Sequence, residues 1–326
     1  MSDLAASIVI TSRNRKDDLL AAIASCFTQS VPVEVIYLDD ASDDGSHIAV
    51  AERFPQVRIV REERHAGYIA LRNRGAELAR CNIIFSIDDD AVFTTGYVVE
   101  QTLREFDDAR VGAVAIPFKD VRISDEILQR SPDDSDIYAT STYIGTAHAL
   151  RRDVFLRLGG YRGFFFHQGE ESDYCLRMLE EGYVVRLGNA DLIHHFVSPK
   201  RDLTRQHYFG TRNRLLFFWC NADAARLPFY LIAAACIELL RAIRLNAFRI
   251  KLRATLDAFN YALSNWHRRK PVSPAAFRTF RMLTGPPMRL SAVAHRLNTF
   301  ELVAQPHIAG YQDADIKQHP DHRRSR

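Results

Sequence analysis

Three carboxylates in a row, Asp88-Asp89-Asp90, close the apolar run Ile83-Ile84-Phe85-Ser86-Ile87. Adjacent carboxylates repel one another unless a cation or hydrogen-bond donors neutralise them. Alternate residues of an extended chain project to the same side, so Asp88 and Asp90 share a face. Oxygen ligands with that gap suit Mg2+ or Mn2+ bridging a diphosphate; the plain alternative is a solvated acidic turn. A second cluster, Asp39-Asp40-Ala41-Ser42-Asp43-Asp44-Gly45-Ser46, follows the run from Val33 to Leu38. Its Asp and Ser residues could simply cap the next helix; the sharper reading has one Asp accept a hydrogen bond from a nucleobase imide. Glu170-Glu171 with Asp173 is the candidate acid–base site, because a carboxylate near a metal-bound leaving group can take the proton from an attacking hydroxyl. Those acids equally suit a helix start. His194-His195, at a strand end, offers an imidazole ligand, although a histidine is often structural.

These groups need a scaffold, and the pattern around them supplies one. Ser7–Thr11, Val33–Leu38, Val57–Val60 and Asn82–Ile87 read as short apolar strands. Asp17–Thr28, Ile48–Phe54 and Ile69–Ala79 read as helices between them. Strands alternating with helices imply βαβ units and a mostly parallel sheet. Ligands of such sheets sit beyond the carboxyl ends of the strands, which puts both acidic clusters on one rim. From Val111 the alternation changes. Val111–Phe118 and Tyr143–Ala149 are expected strands around a polar loop, a helix opens at Gly169-Glu170 and runs through Leu179, and Val184–Leu187 is a further strand leading to the histidine pair.

The last third has no strand alternation. Leu227–Leu240 is almost continuously apolar, and Arg241–Phe259 interleaves arginines with Leu245, Phe248, Ile250, Leu256 and Phe259 as one basic amphipathic helix. The residues from His319 onward are expected to be disordered. The 326 residues carry a formal charge of only +3, but this hides an asymmetry. Residues 226–326 hold 17 Lys and Arg against 6 Asp and Glu, an excess of +11, and residues 1–225 hold 26 against 34, a balance of −8. A basic segment of this kind suggests an anionic surface or ligand. Five cysteines, with no metal-ligand spacing, read as reduced thiols of a cytosolic protein. No basic leader precedes the first apolar run, and no apolar stretch reaches the roughly 18 residues expected of a spanning helix. The composition, 47% hydrophobic and 25% charged, excludes a wholly disordered chain, a collagen-like fibre and a small disulfide scaffold.

The order of the motifs resembles that of the family 2 glycosyltransferases. They run Thr11-Ser12-Arg13-Asn14-Arg15, Leu38-Asp39-Asp40-Ala41-Ser42, Gly67 with Arg72-Asn73-Arg74-Gly75, Asp88-Asp89-Asp90, Gly145-Thr146-Ala147, Gly159-Gly160-Tyr161, then Glu170-Glu171-Ser172-Asp173-Tyr174 and His194. Each is weak alone; their shared order from residue 7 to about 220 makes the resemblance specific to the family. It implies a GT-A-type, Rossmann-like α/β sheet flanked by helices, covering 1–222, with a nucleotide-sugar half near 7–115 and an acceptor half near 116–222. A basic helical C-terminal appendage, 223–326, follows. It also implies inverting transfer from a UDP-sugar or dTDP-rhamnose to a hydroxyl of a glycan or lipid-linked acceptor, in surface polysaccharide synthesis, assisted by Mn2+ or Mg2+.

By the same resemblance Thr11 and Arg13 cradle base and ribose, Asp40 contacts the base, and Gly67 lies in the donor site. Asp88, Asp90 and His194 hold the metal, Asp89 lies near ribose or diphosphate, and Glu171 is the base. Glu170 and Asp173 remain alternatives for that base. Two residues depart from the family's habit: Glu171 stands where Asp is common, and Arg13 where many members carry an aromatic residue. A peripheral contact of the basic region with an anionic membrane is expected, against the alternative of a helical subdomain packed on the body; a nucleic-acid partner is not. Two rival readings are weaker. A nucleotidyltransferase would want a glycine-rich loop after the first strand, and Thr11–Arg15 has no glycine; a non-catalytic scaffold would not need carboxylates at all three places.

Overall fold

The computed structural model describes residues 4–197 and 202–297. The first part alternates as β1 (Ala6–Ser12), α1 (Lys16–Cys26), β2 (Val33–Asp39), α2 (Ser46–Arg53), β3 (Arg58–Arg61), α3 (Tyr68–Leu78) and β4 (Ile83–Asp88). It continues through β5 (Ala91–Phe93), α4 (Val98–Arg104), β6 (Val111–Ala115), β7 (Phe118–Asp120), β8 (Ile127–Leu128), β9 (Tyr138–Thr140), β10 (Ala147–Arg151), α5 (Arg152–Arg157), α6 (Glu170–Glu180), β11 (Val184–Leu187) and β12 (Ile193–His195). The last third holds α7 (Leu203–Asn221), α8 (Leu227–Arg244), α9 (Phe248–Ser264), α10 (Pro274–Leu283), β13 (Met288–Arg289) and α11 (Leu290–Leu297).

The main sheet runs β13-β9-β11-β6-β10-β4-β1-β2-β3. It is parallel across β4, β1, β2 and β3 and again between β6 and β11, with β10 antiparallel to both β4 and β6. Ile8, Val9 and Ile10 of β1 are all buried, because helices cover both faces of a parallel sheet and a central strand is then apolar throughout. A smaller sheet, β5-β12-β7-β8, stands beside it.

Several elements differ from the sequence reading. The expected strand Val111–Phe118 divides at Pro117, which has no N–H to give a ladder; β6 stays in the main sheet and β7 starts the smaller one. The strand expected from Tyr143 begins only at Ala147, since the Ala147 N–H turns back onto the Ile144 carbonyl. The single basic helix over 241–259 is two helices. α8 ends at Arg244, Asn246 takes a left-handed φ of 49°, and the Ala247 N–H caps the Ala242 carbonyl, the usual geometry of a helix C-terminus. α7, before the expected boundary at 222, packs against α8 and α9 beyond it. The chain then returns to the α/β body: Ser273 bonds Glu180 of α6, and β13 pairs with β9 at the sheet edge. The expected disorder from His319 lies outside the described residues.

Candidate active site

The carboxyl ends of β1, β2 and β4 open into one cleft of about 770 Å³. Thr11, Ser12 and Arg13 line it from β1 and the loop after it, Asp40 from the end of β2, and Asp88, Asp89 and Asp90 from the end of β4. The register sets this: Thr11 lies beside Leu38 on one flank and Asp88 on the other. Asn14, at a φ of 55°, staples the first two loops by accepting from the Asp43 N–H and donating its own N–H to Ser42.

Asp40 is buried and its carboxylate is well held. It accepts from the Ala66 N–H at 2.7 Å and the Gly67 N–H at 3.1 Å, and pairs with His65 Nδ1 at 2.6 Å. Burial alone would raise its pKa; His65 and these N–H groups outweigh that and hold it below the usual carboxylate range. Gly67 takes φ 89° to turn its N–H toward Asp40 and start α3, a conformation that suits glycine.

The three consecutive aspartates have three different environments. Asp88 accepts from Arg72 Nη2 at 2.7 Å through Oδ1. Asp89 accepts from the Ser12 hydroxyl at 2.6 Å and lies 3.3 Å from Arg15; burial pushes its pKa up to about 7, with Arg15 and Ser12 opposing. Asp90 meets Arg15 Nη1 at 2.9 Å with Oδ2 and His195 Nε2 at 3.2 Å with Oδ1. Burial raises its pKa, but His195 and Arg15 prevail and the net shift is downward.

The imidazole at the aspartates belongs to His195, which corrects the assignment of His194. β12 lies between β5 and β7, with His195 opposite Ala91 and Asp120. Neighbouring strand residues face opposite sides, so His194 is turned away, its ring near Phe196 and outside the cleft lining. His195 Nδ1 is bonded to Asp120 and Nε2 faces Asp90, with Asp88 Oδ2 at 3.9 Å. Burial lowers the His195 pKa, but the surrounding carboxylates raise it to about 9. The same negative field favours a cation.

Asp88, Asp90 and His195 can each offer one ligand atom, all within 4.8 Å of one another. Two hard carboxylate oxygens and an imidazole nitrogen fit a Mn2+ or Mg2+ ion. A histidine whose other nitrogen is held by a carboxylate, here Asp120, is the usual support of a metal-ligating imidazole.

Opposite these groups, α6 starts at Gly169 (φ 89°) and carries Glu170 and Glu171 in its first turn. Glu171 lines the cleft, whereas Glu170 is fully buried with neither carboxylate oxygen hydrogen-bonded. Burial and the charge of Glu171 move the Glu170 pKa well above the ordinary value; burial also raises that of Glu171, against the pull of Arg72. Asp173 is occupied elsewhere, accepting from Arg162 at 2.8 Å and Arg177 at 3.0 Å inside the body.

Arg72 connects the two sides. Besides Asp88 it donates to the Gly145 carbonyl at 3.0 Å, lies 3.7 Å from Glu170 and stacks over the Tyr68 ring at 4.9 Å. Gly145 leaves room for this: a Cβ there would stand 2.6 Å from Glu171 Oε1 and 2.7 Å from Arg72 Nη1. No role for Arg72, Arg15 or Asp120 follows from the sequence reading. A signal for Arg72 was present, since Ile69, Arg72, Asn73 and Ala76 form one helical stripe and all are buried. A charged residue at a core position of that stripe needs a partner.

Residues 7–167 match the family model described as glycosyl transferase family 2. These residues belong to that family. The chain is 27% identical over 201 residues to an uncharacterized glycosyltransferase, YwdF of Bacillus subtilis, covering 58% of this chain and 74% of YwdF. It is 30% identical over 92 residues to the succinoglycan biosynthesis protein ExoU of Rhizobium meliloti, 27% of either chain. Among solved structures it resembles the mannosyltransferase PcManGT of Pyrobaculum calidifontis in complex with GDP-Man and Mn2+. There the TM-score is 0.55 at 19% identity, over 93% of this chain and 88% of that one. The fold is the GT-A type, a large sheet flanked by helices with further helices C-terminal to it, and the cleft at its strand ends is where the family motifs meet.

Proposed function

We propose that this glycosyltransferase is metal-dependent and inverting. It moves a sugar from a nucleotide-diphosphate donor, a UDP-sugar or dTDP-rhamnose, to a hydroxyl of a glycan or lipid-linked acceptor in surface polysaccharide synthesis. The observation that carries this reading is the convergence, in one cleft, of a three-ligand cation site and the half-buried carboxylate of Glu171, which feels the charge of the same Arg72 that bonds Asp88. Likeness to a structure holding GDP-Man and Mn2+ supports a divalent metal and a nucleotide-sugar donor, and likeness to ExoU supports a role in polysaccharide synthesis.

In this mechanism Thr11 and Arg13 bound the base and ribose site, and Asp40, its geometry set by Ala66, Gly67 and His65, uses its remaining lone-pair capacity to accept from the base imide. Asp88, Asp90 and His195 would hold a divalent cation, which would supply positive charge against that developing on the diphosphate. Asp89, clamped by Ser12 and Arg15, faces the ribose or diphosphate. Glu171 takes the proton of the acceptor hydroxyl, its pKa drawn upward toward the working range of a general base. The hydroxyl attacks from the face opposite the leaving diphosphate, so configuration inverts. Arg72 bonds Asp88 and lies beside Glu170, and its charge acts on Glu171.

The test pairs a thermal-shift screen of UDP-, dTDP- and GDP-sugars with Mn2+ against turnover of Glu171→Gln. A donor bound to the folded state raises its apparent stability. Glu171→Gln is expected to keep the shift and lose transfer by roughly 10²–10⁴-fold, the usual worth of a general base. Full turnover in that variant would remove Glu171 from the mechanism.

A further inference from the structure

α8 and α9 are built inside out. After Leu227 at its start, the buried stripe of α8 is Ala234, Glu238 and Ala242, and that of α9 is Lys251, Ala254, Thr255, Ala258 and Ala262. The large apolar residues face outward: Phe229 is 75% exposed, Ile232 62%, Leu240 64% and Ile243 69%. On α9 Leu256 is 60% and Leu263 76% exposed. These positions lie three, eight and three residues apart on α8 and seven apart on α9, which keeps each set on one side of its helix. Water-facing helices place such stripes against the core. Here the small and polar residues are inside, and the buried ion pair of Lys251 with Glu238, at 2.7 Å and shared with Thr211, holds the helices together.

The charge around the stripes has one sign. Arg241, Arg244, Arg249 and Arg253 stand exposed about the corner between the two helices. The only acids between residues 226 and 270 are Glu238, buried and paired, and Asp257, half-buried and bonded to Tyr208 of α7. A two-fold dimer through this face would set the patch against itself, arginine facing arginine. A surface that is apolar at its centre and negative at its edge suits it better, and an anionic bilayer interface has that composition. No helix among the described residues is long and apolar enough to cross a membrane.

We propose that the exposed face of α8 and α9 seats the enzyme on an anionic lipid bilayer and brings the cleft to a lipid-linked acceptor. The link to the cleft is α7: Arg205 and Gln206 line the cleft at its start, and its length packs on α9. The acceptor half of this proposal rests on the glycosyltransferase reading above; the membrane half stands on the helices alone.

The experiment is sedimentation of the full chain with vesicles of phosphatidylglycerol and phosphatidylcholine in equal parts, and with phosphatidylcholine alone. Binding is expected to the anionic vesicles and to weaken with salt. Joint replacement of Arg241, Arg244, Arg249 and Arg253 by Gln is expected to lower partition by roughly a hundredfold or more, from the usual worth of a surface-proximal arginine. Phe229→Ser with Leu240→Ser and Leu256→Ser, all at exposed positions, is expected to lower it comparably with circular dichroism unchanged. Recovery in the supernatant with every vesicle overturns the proposal, as does binding that neither variant weakens. A concentration-dependent dimer that the Ser variant dissolves, without vesicle binding, would assign the face to a second copy and also overturn it. Nucleotide-sugar hydrolysis without acceptor, measured on the same samples, separates failure of the membrane proposal from failure of the enzymatic one.

Discussion

Replacing Gly145 with alanine isolates one steric demand of the site. A Cβ would stand 2.6 Å from Glu171 Oε1 and 2.7 Å from Arg72 Nη1, where ordinary contact starts at 3.4 Å. Something must therefore retreat by about 0.8 Å. Arg72 has little freedom, since Nη2 already holds Asp88 and the Gly145 carbonyl and the guanidinium is stacked on Tyr68. Glu171, half-buried and facing the cleft, is the group that moves. A misplacement near 1 Å in a catalytic group costs roughly 10²-fold in rate, while overpacking of this size costs about 1–3 kcal/mol of stability. Gly145→Ala is thus expected to stay folded, bind donor as before and lose about two orders of magnitude in kcat. Gly159→Ala is the control. Gly159 has φ 77°, and a Cβ there would meet nothing within 4 Å, so the variant should lose only about 1 kcal/mol to left-handed strain and keep its kcat. The assays are initial rates with saturating donor, Tm, and calorimetric donor binding. A folded Gly145→Ala enzyme with wild-type kcat would refute the argument. So would equal losses of kcat in the two variants, which would point to general destabilisation.

Three further outcomes are expected. His195→Ala should abolish Mn2+-dependent donor binding by calorimetry while His194→Ala retains it, and Asp120→Asn should weaken the metal by roughly 10–100-fold, the common cost of losing a ligand's support. Glu105, far from this chemistry, is buried and its pKa is raised from 4.5 to about 7, with the Asn189 N–H and Arg186 opposing. The folded state then keeps a proton that the unfolded chain releases, so its contribution is complete below about pH 4.5 and is lost as pH rises to about 7. Urea unfolding should show Glu105→Gln gaining on the parent between pH 5 and pH 8, by up to about 3 kcal/mol. An unchanged difference would mean Glu105 is ionised throughout.

Much of the architecture of the first four strands was legible in local pattern. Apolar runs too short for helices, each ended by acids, place Asp39-Asp40 and Asp88-Asp89-Asp90 at strand ends, and a parallel sheet puts such ends on one rim. Other decisions had no local signal. Choosing between His194 and His195 requires knowing that β12 inserts between β5 and β7, because strand parity assigns opposite faces but not which face holds the aspartates. Arg15, Arg72 and Asp120 reach their partners across 75, 16 and 75 residues of sequence, and such pairings exist only once the sheets are assembled. Glu170 and Glu171 are chemically alike and adjacent; burial of one and exposure of the other to the cleft is a matter of how α6 docks.

The C-terminal helices show the same division most clearly. Hydrophobic periodicity identifies a stripe and hence a helix, and charge counting identifies a basic region. Neither states which face is turned inward. Three-dimensional packing turned Ala234, Glu238, Ala242, Lys251, Ala254 and Ala258 in and Phe229, Ile232, Leu240, Ile243, Leu256 and Leu263 out. A periodic pattern is a property of one helix, whereas burial is a property of its neighbours, so sequence determined the stripe and tertiary structure alone decided its direction.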